Sequence, residues 1–505
     1  MEGGLTLSAL EQLNQRLVAY IDLSHVQSLL NWDLQVYMPT EGAEERGEQS
    51  ATIRRLAHEV LLSDETARLL EEAKSQTAGL DADSDEAAMV RVIDRAYTKE
   101  RNVPADWVSR FSRVTSLAYD TWVKAKSRSD FALFRPHLEE VVRLRQEYAS
   151  FFKPYEHGYD PLLDDYEQGM KTAEVQAIFK AIRPVQVALI QAIGQAQPVD
   201  DACLHQAFDP AAQREFSLEL SQRLGFDFSR GRLDISPHPF TTSFGQGDVR
   251  ITTHFAPAYL GMSLFSTIHE TGHALYDQGI PLAYRRTMLA DGASMAIHES
   301  QSRLYENLVG RSRPFWTYFY PRLQQRFPTQ LAGVPLETFY RAINQVKPSL
   351  IRIEADEATY NLHIMLRLEL EIALIEGSLA VKDLPEAWND QMQANLGLTP
   401  PDDAQGVLQD VHWSSGDIGY FATYALGNLV AAQLWEKINA DLPDLAQQFE
   451  RGEFGALLEW LRQHVHRFGA RYLPKTLIQR ATGTSIDPAP YLRYLNEKYG
   501  EIYRL

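Results

Sequence analysis

The feature that most constrains this chain is apolar spacing of three and four residues, sustained over most of its length. Ser8 and Glu11 have the spacing of a capping box, and Leu10, Leu13, Leu17 and Ile21 then mark one helix face. The same period recurs over Met89–Ala96, Phe134–Phe151, Ala173–Ala196, Ser349–Ile375 and Leu426–Ile438. Gly/Pro/Asp-rich joints near Pro154–Asp165 and Thr399–Gly406 read as loops, and no repeat of fixed period or low-complexity tract interrupts the pattern. The expected fold is therefore mostly α. The 505 residues suffice for one large helical domain, and no composition break marks a firm internal boundary.

One stretch departs from the helical period. From Arg232 to Phe255 the chain is rich in Thr, Gly, Pro and β-branched residues, and Val249, Ile251, Thr253 and Phe255 alternate with polar positions. Gly245-Gln246-Gly247-Asp248 supplies a turn before them. This predicts a small antiparallel β-sheet just ahead of the segment that carries the chemistry.

That segment is Ser266-Thr267-Ile268-His269-Glu270-Thr271-Gly272-His273. Two histidines at i and i+4 project from one helix face, so their imidazoles converge on one tetrahedral cation. Glu270 is placed to reach a water polarised by that cation rather than the cation itself. With 14 histidines in the chain, the pattern arises by chance at roughly 3%, so its context matters. Phe265, Ile268 and Leu275 give the helix a buried side, and Gly279 followed by Pro281 ends it. Gly272 costs about 1 kcal/mol relative to Ala, which implies that something packs closely there.

A catalytic zinc needs a third protein ligand and an open position. The best segment is Ser294–Arg303, also helical, in which His298 and Glu299 are adjacent and about 100° apart. Only one of them can face the metal, and spacing does not choose between them. The plain alternative for Glu299 is a surface pair with Arg303 at i+4.

Composition narrows the remaining classes. A net charge of −18 without a dense Lys/Arg cluster excludes a nucleic-acid footprint. The single cysteine, Cys203, forms no intrachain disulfide and suits a reducing compartment. The opening Met1-Glu2-Gly3-Gly4 lacks a basic start and an apolar signal core, and no run approaches roughly 18 apolar residues. The expectation is a cytoplasmic protein with no membrane partner.

Several further motifs together resemble one family, the carboxypeptidase Taq family of zinc metallocarboxypeptidases. They are Trp32-Asp33-Leu34-Gln35-Val36-Tyr37-Met38-Pro39, His238-Pro239-Phe240, Asp248-Val249-Arg250-Ile251-Thr252, the His269–His273 motif and His298-Glu299-Ser300-Gln301. Ile351-Arg352-Ile353-Glu354-Ala355-Asp356 and Gly406-Val407-Leu408-Gln409-Asp410-Val411-His412-Trp413 follow in order. The resemblance implies a saddle-like helical subunit with a deep groove, usually a homodimer, forming one metallocarboxypeptidase domain over 1–505 with its active-site motifs within 238–424. It implies Glu299 as the third ligand, Zn²⁺ as the metal with Co²⁺ as a substitute, and release of single carboxy-terminal residues. Broad side-chain tolerance and poor cleavage next to proline belong to the same expectation.

Such an enzyme must recognise a free carboxylate, which arginine does best through paired hydrogen bonds. Arg352 is the favoured candidate, opening a predicted helix on which Asp356, Tyr360, His363 and Arg367 form a polar stripe. Its plain alternative is a salt-bridge ladder starting with Asp356. Arg250 is second, on a strand where an extended peptide could pair with exposed backbone. Gln409 and His238 complete the substrate-binding set, against the plain alternative that His238 beside Pro239 braces its loop. His412, Tyr420 and Tyr424 are candidate oxyanion donors, against the ordinary reading of helix-spaced tyrosines as core.

The nearest rival is a helical zinc oligopeptidase or dipeptidyl carboxypeptidase. A more distant one is an inactive, metal-stabilised peptide-binding protein. Glu270 argues against the latter, since a structural site needs no base and fills its fourth position with Cys or His.

Overall fold

The computed structural model describes residues 7–505, so the reading of the first six residues lies outside it. The expected capping box is present: Ser8 Oγ accepts from the Glu11 amide at 3.2 Å, and the Glu11 carboxylate accepts from the Ser8 amide at 2.7 Å. The helix it starts, Ala9–Val36, buries Leu10, Leu13, Leu17 and Ile21 as the spacing predicts. Helices Asp85–Asn102 and Ala422–Asp441 likewise contain their predicted segments, and Phe131–Ser150 and Thr172–Gln195 cover theirs except for the last residue.

Two segments differ. The expected helix from Ser349 is broken, with only one 3₁₀ turn at Arg352–Glu354 before the helix Glu357–Glu376. Asp356 is the reason, because its carboxylate accepts from the amides of Ala358 and Thr359 at 2.9 and 3.0 Å and starts the helix there. The joint at Pro154–Asp165 contains a short helix, Asp160–Asp164.

The small sheet is mixed rather than antiparallel. Its strands β1 (Gly231–Ile235), β2 (Thr241–Ser243) and β3 (Val249–Thr253) lie in the order β1-β3-β2. β2 and β3 form the predicted hairpin, but β1 runs parallel to β3. The connection through His238-Pro239-Phe240 carries the chain across to the far side of β3 instead of folding it back on β1. β3 is thus central, with neighbours on both sides, so the strand bearing Arg250 has no free edge for a peptide. The outer side of β2 is free of strand pairing.

Most buried apolar side chains among the described residues fall into three clusters. The largest joins Phe131–Ser150, Thr172–Gln195 and Glu357–Glu376 to Leu384–Leu396 and Ala489–Tyr503. A second joins Pro210–Leu224, β1 and β3 to Leu260–Gly279 and Arg313–Arg326. The third ties the amino-terminal helices to Ile280, Tyr284 and Leu289. The helix Ala422–Asp441 serves the first two, with Leu426 and Leu429 in one and Val430 and Leu434 in the other. The sequence-predicted site residues other than Arg250 and His238 gather along this seam. By length and composition Thr172–Gln195 could cross a membrane, contrary to expectation. Here Val175, Phe179, Ile182 and Ile193 join it to the largest cluster.

Candidate active site

His269 and His273 lie on the helix Leu260–Gly279, and Glu299 on the crossing helix Met295–Arg303. The helices meet at Gly272, where a Cβ would stand 2.6 Å from the Gln301 carbonyl oxygen and 2.7 Å from Ser302 Cα. This is the close contact the glycine implied. A second glycine works from the other side: a Cβ at Gly427 would lie 2.6 Å from Glu299 Cγ, so the helix Ala422–Asp441 closes against Glu299 itself.

Glu299 Oε2 lies 3.7 Å from His269 Nε2 and 3.4 Å from His273 Nε2. Tetrahedral ligands about 2.0–2.1 Å from zinc are about 3.3 Å apart, so the three atoms fit one cation with little movement. The pair with Arg303 forms, but buried rather than at the surface: Glu299 Oε1 accepts from Arg303 Nε at 2.7 Å while Oε2 faces the histidines. The adjacent His298 turns aside and places its Nδ1 2.7 Å from His273 Nδ1.

Further charges surround these three side chains. Glu306 Oε2 lies 2.9 Å from His269 Nδ1 and 3.2 Å from Arg303 Nη1, and Arg311 Nη2 donates to Glu306 Oε1 at 3.3 Å. Burial opposes a charge on His269, but Glu299 and Glu306 outweigh it and raise its pKa above the ordinary value. Burial holds His273 down to about 4, leaving a neutral imidazole fit to ligate. Burial also opposes ionisation of Glu299, yet Arg303 and His269 keep its carboxyl well below the usual range.

Glu270 is held on one side only. Thr241 Oγ1, on β2, donates to Glu270 Oε2 at 2.7 Å and contacts its backbone oxygen at 3.0 Å. Oε1 accepts nothing from the described residues, and burial raises the carboxyl's pKa. A carboxylate anchored by one oxygen, with a raised pKa and a free second oxygen, is suited to act as a base.

The alternative ladder from Arg352 to Asp356 does not form. Arg352 instead donates from Nε and Nη2 to Asp410 Oδ1 at 3.1 and 2.8 Å, and from Nη1 to the Tyr360 hydroxyl at 3.0 Å. Arg367, fully buried, takes the other Asp410 oxygen at 2.6 Å. Two guanidiniums thus share one carboxylate. Burial lowers Arg367 to about 10, so it stays charged at neutral pH. Asp410 stays ionised despite burial, because Arg367 and Arg352 hold its pKa well below the usual range. Burial, then Arg367, holds the nearby His363 well below its ordinary value. The cluster therefore carries one uncompensated positive charge.

Gln409 is fully engaged as a brace. Its Oε1 accepts from the Arg352 amide and Arg367 Nη2, and its Nε2 donates to the carbonyls of Leu350 and Gln405. His412 and Tyr420 have ring centres 5.6 Å apart, and Tyr420 and Tyr424 5.1 Å. Arg352 lies 5.2 Å from the Tyr424 ring, and the Glu299 charge acts on both tyrosines. The Arg352 charge acts on both as well, so the tyrosines lie within reach of Glu299 and of the arginine. Burial holds His412 at about 4 and raises Tyr420 to about 12, so both are neutral at pH 7.

Two predicted binding residues lie elsewhere. Arg250 forms a double hydrogen bond with Asp248, at 2.8 Å each, with the Trp32 and Phe244 rings 4.3 and 4.8 Å away. His238 is exposed and supports its loop through its backbone carbonyl, which accepts from Ser236 Oγ. Sequence reasoning missed Thr241, Asp277, Glu306 and Glu371. Of these only Asp277, four residues after His273 on the same helix, had a visible spacing signal.

Comparison with known proteins identifies the family. The family described as Carboxypeptidase Taq (M32) metallopeptidase matches residues 12–499. The chain is 42% identical over 499 residues, 97% of each chain, to "Thermostable carboxypeptidase 1" of Thermus thermophilus. It is 39% identical to "Carboxypeptidase 1" of Bacillus subtilis over 483 residues, 95% of this chain and 96% of the relative. The crystal structure of an M32 carboxypeptidase from Deinococcus radiodurans R1 superposes with a TM-score of 0.96 at 39% identity, covering 99% of this chain and 100% of that one. The chain belongs to the carboxypeptidase Taq (M32) family and is a metal-dependent carboxypeptidase, a hydrolase of peptide bonds.

Proposed function

We propose that the enzyme releases single carboxy-terminal residues, with His269 Nε2, His273 Nε2 and Glu299 Oε2 holding Zn²⁺ and the Arg352–Arg367 cluster taking the substrate's carboxylate. The observation that carries this reading is the unpaired positive charge of two buried guanidiniums around Asp410, beside tyrosines that reach back toward Glu299. Three of the five Arg352 side-chain N–H groups have protein partners, which leaves two for a carboxylate.

The metal, when bound, acts as a Lewis acid toward the attacked carbonyl and lowers the pKa of water. Glu270 takes the proton of the attacking water on its free Oε1 and returns it to the leaving amine, while Thr241 holds Oε2. Tyr420, Tyr424 and neutral His412 are the proposed donors to the developing oxyanion. The free edge of β2, bearing Thr241, offers backbone groups for an extended substrate to lie along. Broad specificity with poor cleavage next to proline, a homodimeric state, a cytoplasmic location and replacement of zinc by cobalt belong to the same proposal.

The test is a mass time course on a short peptide with a blocked amino terminus. Successive loss of single carboxy-terminal residues is expected. Release of dipeptides or internal fragments would instead support the dipeptidyl carboxypeptidase or oligopeptidase reading.

A further inference from the structure

The two histidines that face Glu299 are backed differently. His269 Nδ1 meets a carboxylate directly, at Glu306. His273 Nδ1 meets another imidazole, the Nδ1 of His298 at 2.7 Å, whose Nε2 lies 3.0 Å from Asp277 Oδ1. His298 is confined: a Cβ on Gly292 would stand 3.0 Å from its Cδ2, and the Tyr276 ring centre is 5.0 Å away. Asp277 follows His273 by four residues on the same helix, so one rigid element presents both ends of this chain of contacts.

Proton counting fixes the direction of each bond. If His273 Nε2 offers its lone pair to a cation, the single proton of the neutral ring sits on Nδ1, which must donate. The partner at 2.7 Å then has to accept, so His298 Nδ1 is bare and its one proton lies on Nε2, pointing at Asp277. The opposite tautomer of His298 would set two N–H groups against each other, or force the His273 proton onto Nε2, where the metal belongs.

We infer that His298 is a positioning residue for the metal site, an imidazole acceptor that fixes the tautomer and ring orientation of His273 and is itself fixed by Asp277. This rests on the ligand set proposed above. It gives the histidine beside Glu299, which competed with it for the third ligand position, a separate role. Carboxylate partners of ligating histidines serve this purpose generally, and their loss costs about 10–100-fold in metal affinity. Here an extra imidazole relays the effect.

The test is titration of the metal-free full chain with Zn²⁺ against a chromophoric chelator. His298→Phe keeps a ring but no acceptor and is expected to lose about 10–100-fold in Zn²⁺ affinity. His298→Asn places Oδ1 where Nδ1 was and is expected to recover most of that loss. Affinity of the Phe variant within twofold of wild type, or equal losses in both variants, would overturn the inference. Histidine-selective ¹⁵N spectra of the wild-type Zn²⁺ form provide a check that requires no variant. They should show His298 with a bare Nδ1 and a protonated Nε2, and a proton on Nδ1 would be contrary. Glu299→Ala and His273→Ala separate the two levels: if these retain full affinity the ligand set is wrong, whereas their losing metal beside an unaffected His298→Phe sinks only the relay.

Discussion

Glu299 divides its carboxylate between two tasks, with Oε1 on Arg303 and Oε2 toward both histidines. Removing it leaves Arg303 without that partner and takes away a ligand, so Glu299→Ala is expected to lower metal content, measured by elemental analysis, as well as rate. Glu270→Gln should behave oppositely. Its amide cannot take a proton, so turnover should fall about 10²–10⁴-fold with metal content unchanged, and a variant within tenfold of wild type would contradict its role as base. Thr241→Val removes the hydroxyl that holds Glu270 Oε2. A hydrogen bond to a charged group contributes about 1.5–3 kcal/mol, so kcat should fall about 10–100-fold with metal retained. At this scale the local features were legible. The i,i+4 histidines and Glu270 lie within one helical turn, and Gly272 announced its close contact. Glu306 stayed hidden because 37 residues separate it from His269 and only tertiary folding brings them together.

The helix Glu357–Glu376 shows how one element arranges the substrate side of the site. Its amino-terminal boundary was misread because apolar period alone runs through Ser349, whereas capping by Asp356 decides where the helix starts. That shift separates Arg352 from the helix and lets it turn toward Asp410, a contact that sequence separation conceals. Further along, buried Glu371 accepts from the Tyr159 hydroxyl at 2.5 Å, Trp413 Nε1 at 2.8 Å and the Gly419 amide at 3.0 Å. It therefore ties down both ends of the segment that carries His412 and Tyr420. Burial raises its pKa to about 7 although all three donors oppose the rise. In Glu371→Gln one amide face meets donors with nothing to accept them, an unsatisfied contact of about 1–3 kcal/mol. A lower urea midpoint together with reduced kcat is expected, and unchanged stability would show that the segment is held otherwise. The sheet was misread for a related reason: alternation identifies strands and the turn identifies the hairpin, but neither reports on which side β1 docks.

Across the whole molecule, helical periodicity made the mostly α fold legible, while the seam between the two larger cores depends on packing that no local pattern encodes. His269 and His273 come from a helix on one side of that seam and Arg367 from a helix on the other, while the helix that carries Glu299 sends Ala296 into one core and Ile297 into the other. A cation bound by the folded chain alone stabilises it by about 2.7 kcal/mol at a free concentration of 100 Kd. Chelation should therefore lower the unfolding temperature and abolish activity, and zinc or cobalt should restore both. Full activity after verified metal removal would exclude the metal centre as the site of chemistry. The central claim is that this centre acts on a terminus whose carboxylate is held by Arg352, and a kinetic cycle tests it most directly. Wild type and Arg352→Ala are each assayed on a peptide with a free carboxy terminus and on its amide. Amidation is expected to cost wild type at least about tenfold in kcat/KM, since it removes a charge-assisted contact of about 1.5–3 kcal/mol. Arg352→Ala should lose as much on the free acid yet barely change on the amide, the non-additivity that marks a direct contact. An equal proportional loss on both peptides would contradict the account and leave Arg352 as no more than the partner of Asp410.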